Sequence, residues 1–121
     1  MRVLLVDDSP LIRRQLRRFL DRSDGVESVA EAGDIETALQ KAREFDPSLI
    51  VVDLRLGESR AGGLELMAAV GREPAAPRMV AFSNHPELQE HALAAGAESF
   101  FDKSRDTGAL LEFIRSVARE E

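Results

Sequence analysis

Short apolar runs alternate along the chain with longer segments in which apolar residues recur at helical spacing. The runs predict five strands, at residues 3–6, 26–32, 49–52, 78–82 and 99–101. The spaced segments predict five helices, at residues 10–20, 34–45, 64–73, 86–93 and 107–119. Strands that alternate with helices in this way predict an α/β fold, with a parallel sheet covered by helices on both faces.

The crossovers between successive strands limit the order of the sheet. Because such crossovers are right-handed, the leading order is 2-1-3-4-5, a flavodoxin-like, doubly wound (βα)5 sheet whose switch point lies between the first and third strands. The second run is less apolar than its neighbours, so we expect it at an edge. Ser9 and Pro10 supply a cap and a first-turn proline for the first helix, and Gly96 ends the fourth.

Composition restricts the class of protein. The 121 residues suffice for one domain with a substantial core, and 44% hydrophobic with 31% charged residues is typical of a globular protein. The 16 basic and 22 acidic side chains give a formal net charge of -6, which argues against nucleic acid or an anionic membrane as the main partner. The chain has no cysteine, no apolar stretch that could span a bilayer and no signal-peptide pattern, so we expect a cytoplasmic protein.

Two of the predicted central strands end in acidic residues. Asp7 and Asp8 follow the first strand, and Asp53 follows the third. Because ligands bind at the carboxyl ends of parallel strands near the switch point, we expect these three carboxylates to meet. Such a cluster repels itself unless a cation or protons neutralise it, so we interpret it as a site. For either strand end alone, the ordinary interpretation is favoured, with Asp7 and Asp8 as turn residues and an N-cap before Pro10, or Asp53 as a loop residue.

Two further strands end in polar side chains at the same edge. Ser83 closes the fourth strand and Lys103 follows the fifth. Each alone is typical of an ordinary loop, but together with the carboxylates they form the set that phosphoryl transfer to a carboxylate requires. In that interpretation Asp53 is the nucleophile, while Asp7 and Asp8 hold Mg²⁺. Ser83 and Lys103 then bind the other phosphoryl oxygens.

Over essentially its whole length, the sequence resembles the receiver domain of response regulators, the phosphoacceptor module of two-component signalling. The matching motifs, in chain order, are V-L-L-V-D-D-S, L-I-V-V-D-L, V-A-F-S, A-G-A and F-F-D-K. Each motif is weak alone, but five in this order and at these intervals are specific. The family has the strand order predicted above, so that order is not an independent prediction.

The resemblance implies chemistry for the acidic cluster. Asp53 would accept a phosphoryl group from the phosphohistidine of a sensor histidine kinase or a histidine phosphotransfer protein, or from a small phosphodonor. Asp7 and Asp8, with the backbone carbonyl of Arg55, would bind Mg²⁺, for which Mn²⁺ can substitute. The product would be an acyl phosphate on Asp53.

The resemblance also implies a two-state switch. Lys103 would pair with the phosphoryl group, Ser83 would move to hydrogen-bond it, and Phe100 would turn inward behind it. The surface of the fourth helix, fifth strand and fifth helix would then change shape, and a downstream protein would bind it. Phe100 is also compatible with an ordinary core position.

The sequence departs from the family pattern near the site. Ser104 follows the lysine where the family usually has proline, so we expect a different loop there. Asn84 is larger than the small residue that is common after the switch hydroxyl, and the loop at residues 55–63 is about two residues longer than usual. Arg55 and His85 each lie two residues beyond a site residue. With Asn84, they predict an unusual dephosphorylation rate of undetermined direction.

Two other functions stay open. One is a degenerate receiver that serves only as a protein-interaction module, against which the intact set of carboxylates and lysine argues. The other is a Mg²⁺-dependent phosphatase for an external substrate, which would want a further acid-base residue or an enclosing lid. The favoured function is a signalling switch that is not an enzyme, apart from catalysing its own phosphorylation and dephosphorylation.

The chain ends directly after the predicted fifth helix. We therefore expect a single receiver domain over residues 1–121, with no output domain. Whether it is a natural single-domain regulator or phosphorelay shuttle, or a receiver cut from a longer protein, stays open. We expect no direct contact with nucleic acid or membrane, and whether the chain forms a weak homodimer through the fourth and fifth helices stays open. The cognate kinase and the downstream target are undetermined at this stage.

Overall fold

The computed structural model describes residues 1–57 and 62–120. These residues form five strands, namely β1 Arg2–Val6, β2 Ser28–Ala32, β3 Leu49–Val52, β4 Arg78–Ser83 and β5 Phe100–Asp102. They also form five α-helices, namely α1 Pro10–Leu20, α2 Ile35–Glu44, α3 Gly62–Gly71, α4 Gln89–Ala94 and α5 Thr107–Glu120, with a 3₁₀ turn, Pro86–Leu88, directly before α4. Within the described ranges, no helix is long and apolar enough to cross a membrane.

The strands form one parallel sheet with the order β2-β1-β3-β4-β5. The predicted 2-1-3-4-5 order is confirmed, and β2 lies at an edge as expected. Val6, at the end of β1, lies opposite Ala32 in β2 and Val52 in β3. The three neighbouring strands therefore end at the same level, which brings the residues that follow them to one edge of the sheet.

Helices cover both faces of the sheet, and each face has its own core. On one face, α1 and α5 pack over inward side chains such as Leu5 and Val51. On the other, α2, α3 and α4 pack over Leu4 and Ile50. Helical spacing predicts an apolar face of α5 at four positions, and all four are buried, namely Leu110, Ile114, Val117 and Ala118. Burial of a large aliphatic side chain in such a core stabilises the fold by roughly 2 kcal/mol.

Side-chain caps start α1 and α2 at the carboxyl edge of the sheet. Ser9 Oγ accepts a hydrogen bond of 3.3 Å from the Ile12 N–H, and Pro10 is the first residue of α1. The Asp34 carboxylate accepts one of 2.8 Å from the Thr37 N–H. Each cap satisfies an N–H that the first helical turn leaves unpaired. Both helices thus begin beside the residues that follow β1 and β2.

A few element boundaries differ from the predictions. β2 begins later because Val26 donates its N–H to the Ser23 carbonyl (3.3 Å) in the preceding turn. β5 is displaced toward the C-terminus, since Asp102 still lies opposite Ser83 in β4. α3 includes the two glycines that were expected to precede it, and the fourth helix begins as a 3₁₀ turn.

The predicted long loop at residues 55–63 is only partly described. Leu56 is buried, and Gly57 has a φ of 60° in the left-handed region. Residues 58–61 lie outside the described residues, so the greater length of this loop stays a prediction.

Candidate functional site

The site is an extension of the sheet itself. Three of its residues, Asp7, Asp53 and Lys103, follow β1, β3 and β5 directly. Each donates its backbone N–H to the last residue of a neighbouring strand. The acceptor carbonyls belong to β2 for Asp7 (3.0 Å), to β1 for Asp53 (2.8 Å) and to β4 for Lys103 (3.0 Å). Their positions are therefore set by the strand register and not by loop conformation.

The three predicted carboxylates meet. Asp7, Asp8 and Asp53 each place a carboxylate oxygen such that these atoms all lie within 4.8 Å of one another. Asp7 and Asp53 are buried, whereas Asp8 is exposed. Backbone N–H groups orient Asp7 and Asp8. Asp7 Oδ1 accepts a hydrogen bond from the Ser9 N–H (2.9 Å), and Asp8 Oδ2 accepts one from the Gly57 N–H (3.0 Å).

Lys103 supplies positive charge to this cluster. Its Nζ lies 2.6 Å from Asp7 Oδ2 and 3.2 Å from Asp53 Oδ2. The Lys103 side chain is 10% exposed, and those of Asp7 and Asp53 are 6% and 8% exposed. One ammonium thus bridges two carboxylates where water is largely excluded. Three carboxylates against one lysine leave the cluster with an excess of negative charge.

Burial and neighbouring charges perturb both partners. Burial raises the pKa of Asp53 above the ordinary value, the nearby charge of Asp7 raises it further, and Lys103 offsets only part of the change. For Lys103, burial acts to lower the pKa, but the hydrogen bond and charge of Asp7, with those of Asp53, outweigh it and raise the pKa. Lys103 is therefore a permanent cation at neutral pH, while Asp53 takes up a proton more readily than an exposed aspartate.

The cluster opens into a cleft of about 460 Å³. The wall includes all three residues that were predicted to modulate the reaction rate, namely Arg55, Asn84 and His85. The Arg55 N–H donates to Asp53 Oδ1 at 3.4 Å. His85 Nδ1 lies 3.3 Å from a carboxylate oxygen of Glu87. The remaining lining residues are Asp8, Ser9, Ile12, Asp53, Gly57 and Lys103.

Ser83 and Phe100 are not among the residues that line this cleft. Ser83 is fully buried, and its Oγ accepts a hydrogen bond of 3.1 Å from the His85 N–H. Phe100 is half-buried and packs against the core beneath α2, α3 and α4. The hydroxyl would have to leave its present partner to reach a group on Asp53. The switch roles of both residues stay predictions.

Sequence reasoning missed the part that Arg13 plays. The spacing of the apolar residues in α1 predicts that Arg13, with Arg14, Arg17 and Arg18, lies on the opposite face, as a solvent-exposed or docking surface. Instead, its Nη1 donates to the Asp7 carbonyl and its Nε to Glu31 Oε1 (3.0 Å), so it braces the end of β1 against β2. Helical spacing does not reveal this, because Arg17, one turn later on the same surface, also donates to Glu31 (2.8 Å), and only the fold brings Arg13 to the Asp7 carbonyl.

Gly63 was also missed as a site-supporting residue. Its N–H donates to the Leu54 carbonyl at 3.0 Å, so the start of α3 is joined to the segment that carries Asp53. In the sequence, Gly62 and Gly63 directly precede the predicted third helix and indicate its boundary. The same pair signals close backbone approach, which is the signal that could have found it.

The donor set fits a hard divalent cation. Carboxylate oxygens from three residues converge, and carboxylate and carbonyl oxygens are the ligands that Mg²⁺ and similar ions prefer. The chain has no cysteine, so no thiolate competes for the role of ligand. The excess negative charge of the cluster gives such a cation an electrostatic reason to bind.

A family model for the response regulator receiver domain matches residues 3–115. The chain belongs to the response regulator receiver domain family. This assignment confirms the resemblance drawn from the five motifs, and such receiver domains are signalling switches.

Similar proteins agree with this assignment. The nitrate/nitrite response regulator protein NarP of Escherichia coli (strain K12) is 33% identical over 119 residues, which cover 97% of this receiver domain and 54% of NarP. The transcriptional activator protein ExaE of Pseudomonas putida is 38% identical over 119 residues, which cover 97% of this chain and 55% of ExaE. A solved LuxR-family two-component response regulator from Aurantimonas sp. SI85-9A1 has a TM-score of 0.85 and 33% identity, covering 99% of this chain and 86% of that chain.

The chain thus spans about half the length of these two curated relatives. One of them is named a transcriptional activator, so the comparisons do not support the expectation that nucleic acid plays no part for a protein of this kind.

Proposed function

We propose that this receiver domain accepts a phosphoryl group on Asp53 in a Mg²⁺-dependent reaction and acts as a signalling switch. The observation that carries the proposal is the convergence of three carboxylates, with oxygens within 4.8 Å of one another, beside a lysine Nζ 2.6 Å and 3.2 Å from two of them. Such a set suits phosphoryl transfer, in which positioning and charge neutralisation do most of the catalytic work.

The reaction transfers one group between two proteins. An Asp53 carboxylate oxygen attacks the phosphorus of a phosphohistidine on a histidine kinase or phosphotransfer protein. The new oxygen–phosphorus bond forms as the phosphorus–nitrogen bond breaks, and the imidazole keeps the electron pair of that bond. The product is an acyl phosphate on Asp53, which water later hydrolyses to the carboxylate and inorganic phosphate.

Asp7, Asp8 and Asp53, with the backbone carbonyl of Arg55, are the residues that would hold Mg²⁺. When bound, the ion supplies positive charge that offsets the negative charge of the carboxylates and the phosphoryl oxygens. Lys103 supplies a second positive charge, from an ammonium 3.2 Å from Asp53 Oδ2. The raised pKa of Asp53 is consistent with a carboxylate that needs these charges to stay ionised as a nucleophile.

The switch would operate through Ser83, Lys103 and Phe100. New phosphoryl oxygens favour a state in which the Ser83 hydroxyl turns away from the His85 N–H and donates to them. Phe100, on the adjacent strand β5, then turns inward behind Ser83. The face formed by α4, β5 and α5 changes shape, and a downstream protein, or a weakly bound second copy, recognises it.

The test is the intact mass of the protein after incubation with Mg²⁺ and acetyl phosphate. We expect wild type to gain one phosphate, and we expect neither an incubation without Mg²⁺ nor Asp53→Asn to do so. Asp24→Asn, which removes an exposed carboxylate far from the cluster, is the matched control and should react like wild type.

An equal adduct on Asp53→Asn would assign the phosphoryl group to another residue. No adduct on wild type from acetyl phosphate or from a phosphorylated kinase, although calorimetry shows that Mg²⁺ binds, would favour the degenerate receiver. Multiple turnover of an unrelated phosphate ester, with no adduct, would favour the phosphatase.

A further inference from the structure

Asp102 is a buried acidic residue that the proposed reaction does not use. In the described part of the chain, the buried polar residues are Asp7, Asp53, Ser83 and Asp102. The first three belong to the site or lie directly beneath it. Asp102 does not line the cleft, yet it is only 7% exposed. A carboxylate with so little access to water needs hydrogen-bond partners inside the protein.

Ser104 supplies those partners. Asp102 Oδ1 accepts from the Ser104 N–H at 2.8 Å and from the Ser104 hydroxyl at 2.6 Å. One oxygen of Asp102 therefore binds two donors of a residue two positions later. The residue enclosed by this turn is Lys103.

The turn is tied at both ends. On one side, Lys103 donates its N–H to the Ser83 carbonyl of β4 at 3.0 Å. On the other, the Asp102 N–H donates to Asp106 Oδ2 (3.0 Å), and the Asp106 N–H donates to the Asp102 carbonyl (2.7 Å). The Asp106 carbonyl in turn accepts the first hydrogen bond of α5, from the Leu110 N–H at 2.9 Å. The backbone on either side of Lys103 is therefore anchored to β4 and to the start of α5.

We propose that Asp102 and Ser104 are positioning residues, which form a hydrogen-bonded clasp that holds the Lys103 ammonium against Asp7 and Asp53. Its effect on phosphorylation rests on the function proposed above, but its effect on the position of Lys103 does not. The hydrogen bonds from Ser104 hold the pKa of Asp102 below its usual range, so the clasp carries an ionised acceptor at neutral pH. Ionised acceptors form the stronger hydrogen bonds.

The lysine content of the chain allows a direct test. Lys41 and Lys103 are its two lysines, so a protein labelled with ¹³C at the lysine ε-carbon gives two signals. Lys41 Nζ donates to the Glu31 carbonyl at 2.6 Å, away from the clasp, and serves as an internal reference. The Lys103 signal reports the surroundings of its ammonium without any need for phosphorylation.

Three substitutions at Ser104 change the number of hydrogen-bond donors that the residue offers to Asp102. Ser104→Ala removes the hydroxyl and keeps the N–H, and Ser104→Pro removes both donors. Ser104→Thr keeps both donors. We expect the Lys103 signal to move most in the proline variant, less in the alanine variant and little in the threonine variant, with Lys41 unmoved. Ser23→Ala, which removes a hydroxyl that donates to the Phe19 carbonyl at 2.9 Å, is the matched control and should move neither signal.

Phosphorylation by acetyl phosphate gives the second readout. We expect the rate to fall about threefold in Ser104→Ala and to stay near the wild-type rate in Ser104→Thr, because small displacements of a positioned charge weaken catalysis. A Lys103 signal that stays at its wild-type position in Ser104→Ala would overturn the proposal. If Ser104→Pro does not fold, the comparison of the Lys103 signal in Ser104→Ala and Ser104→Thr tests the proposal. If the signal moves but wild type takes up no phosphate, the clasp stands and the phosphoacceptor function fails.

Discussion

A side-chain carbon on Gly63 would lie 2.1 Å from the carbonyl oxygen of Asp53. The same carbon would lie 2.5 Å from the Cα atom of Leu54, so backbone and not a movable side chain occupies the space. The first turn of α3 thus lies against the segment that carries the proposed phosphoacceptor. Only a residue without a Cβ allows this approach.

Gly63→Ala should therefore displace the backbone at Asp53. We expect the free energy of unfolding to fall by about 3 kcal/mol. This is a large effect for one added carbon, because the backbone itself must move to make room for it. We also expect slower phosphorylation. Urea unfolding and the rate with acetyl phosphate measure the two effects.

Gly108→Ala is the matched control for that change. Gly108 also lies in a helix, α5, and an added Cβ would meet no atom within 4 Å. We expect a gain of about 0.5–1 kcal/mol in stability, since alanine favours the helix more than glycine. Equal changes in stability at the two glycines would show that the backbone at Asp53 moves away from the added carbon without a cost in free energy.

Removal of the lysine should strengthen cation binding. Lys103→Met deletes a positive charge held 2.6 Å from Asp7 in a nearly dry site. We expect the affinity for Mg²⁺, measured by calorimetry, to rise about tenfold, because the cation no longer meets a like charge. Lys41→Met, on α2, should leave the affinity unchanged. Weaker binding in Lys103→Met would mean that the lysine organises the carboxylates more than it repels the ion.

Asp53→Asn should stabilise the protein in the absence of divalent cations. Folding raises the pKa of Asp53, through burial first and then the charge of Asp7. The folded protein thus binds a proton there more readily than the unfolded chain, so ionised Asp53 costs stability as the pH rises through its folded pKa. Below the unfolded pKa of about 3.9 the cost is absent.

The expected gain for Asp53→Asn is on the order of 1 kcal/mol at neutral pH and should shrink as the pH is lowered toward 4. Thermal unfolding in a chelator, at several pH values, measures it. The exposed substitution Asp24→Asn should change stability less. A variant that is less stable than wild type at neutral pH would show that the attraction of Lys103 outweighs the cost of burial.

Two adjacent arginines on α1 should behave differently. Arg13 donates to the Asp7 carbonyl and to Glu31, whereas Arg14 is exposed. We expect Arg13→Gln to lose about 1–2 kcal/mol of stability and to weaken Mg²⁺ binding about threefold, since hydrogen bonds from a charged donor are lost. Arg14→Gln should stay within about 0.5 kcal/mol of wild type. Equal effects would assign Arg13 to the solvent-exposed face that periodicity predicts.

Periodicity was enough to predict the alternating strands and helices, and the strand ends were enough to predict the meeting of the main charges, whereas the strand order was not predicted independently of the family resemblance. The apolar face of α5 was predicted residue by residue, because helical spacing decides which side chains face a sheet. Asp7, Asp53 and Lys103 were brought together correctly because each follows a parallel strand, and parallel strands end at one edge.

The supports of the site could not be predicted in the same way. Arg13 reaches the Asp7 carbonyl only because α1 crosses β2 where it does, and Gly63 touches Asp53 only because α3 returns to the same edge. Both contacts depend on the three-dimensional path of the chain and leave no periodic pattern. The turn at Ser104 was flagged as a departure from the family, but the Asp102 carboxylate as its partner was not.

The backbone hydrogen bonds from Asp7, Asp53 and Lys103 to the neighbouring strands should slow the hydrogen exchange of these three amides. Their amide protons are shared with the ends of the sheet, so solvent reaches them only when the strands themselves separate. We therefore expect these three amides to exchange on the timescale of the sheet and not on that of a surface loop. The main chain at this edge is therefore already ordered before a phosphoryl group binds. Only a few side chains then lose conformational entropy on binding.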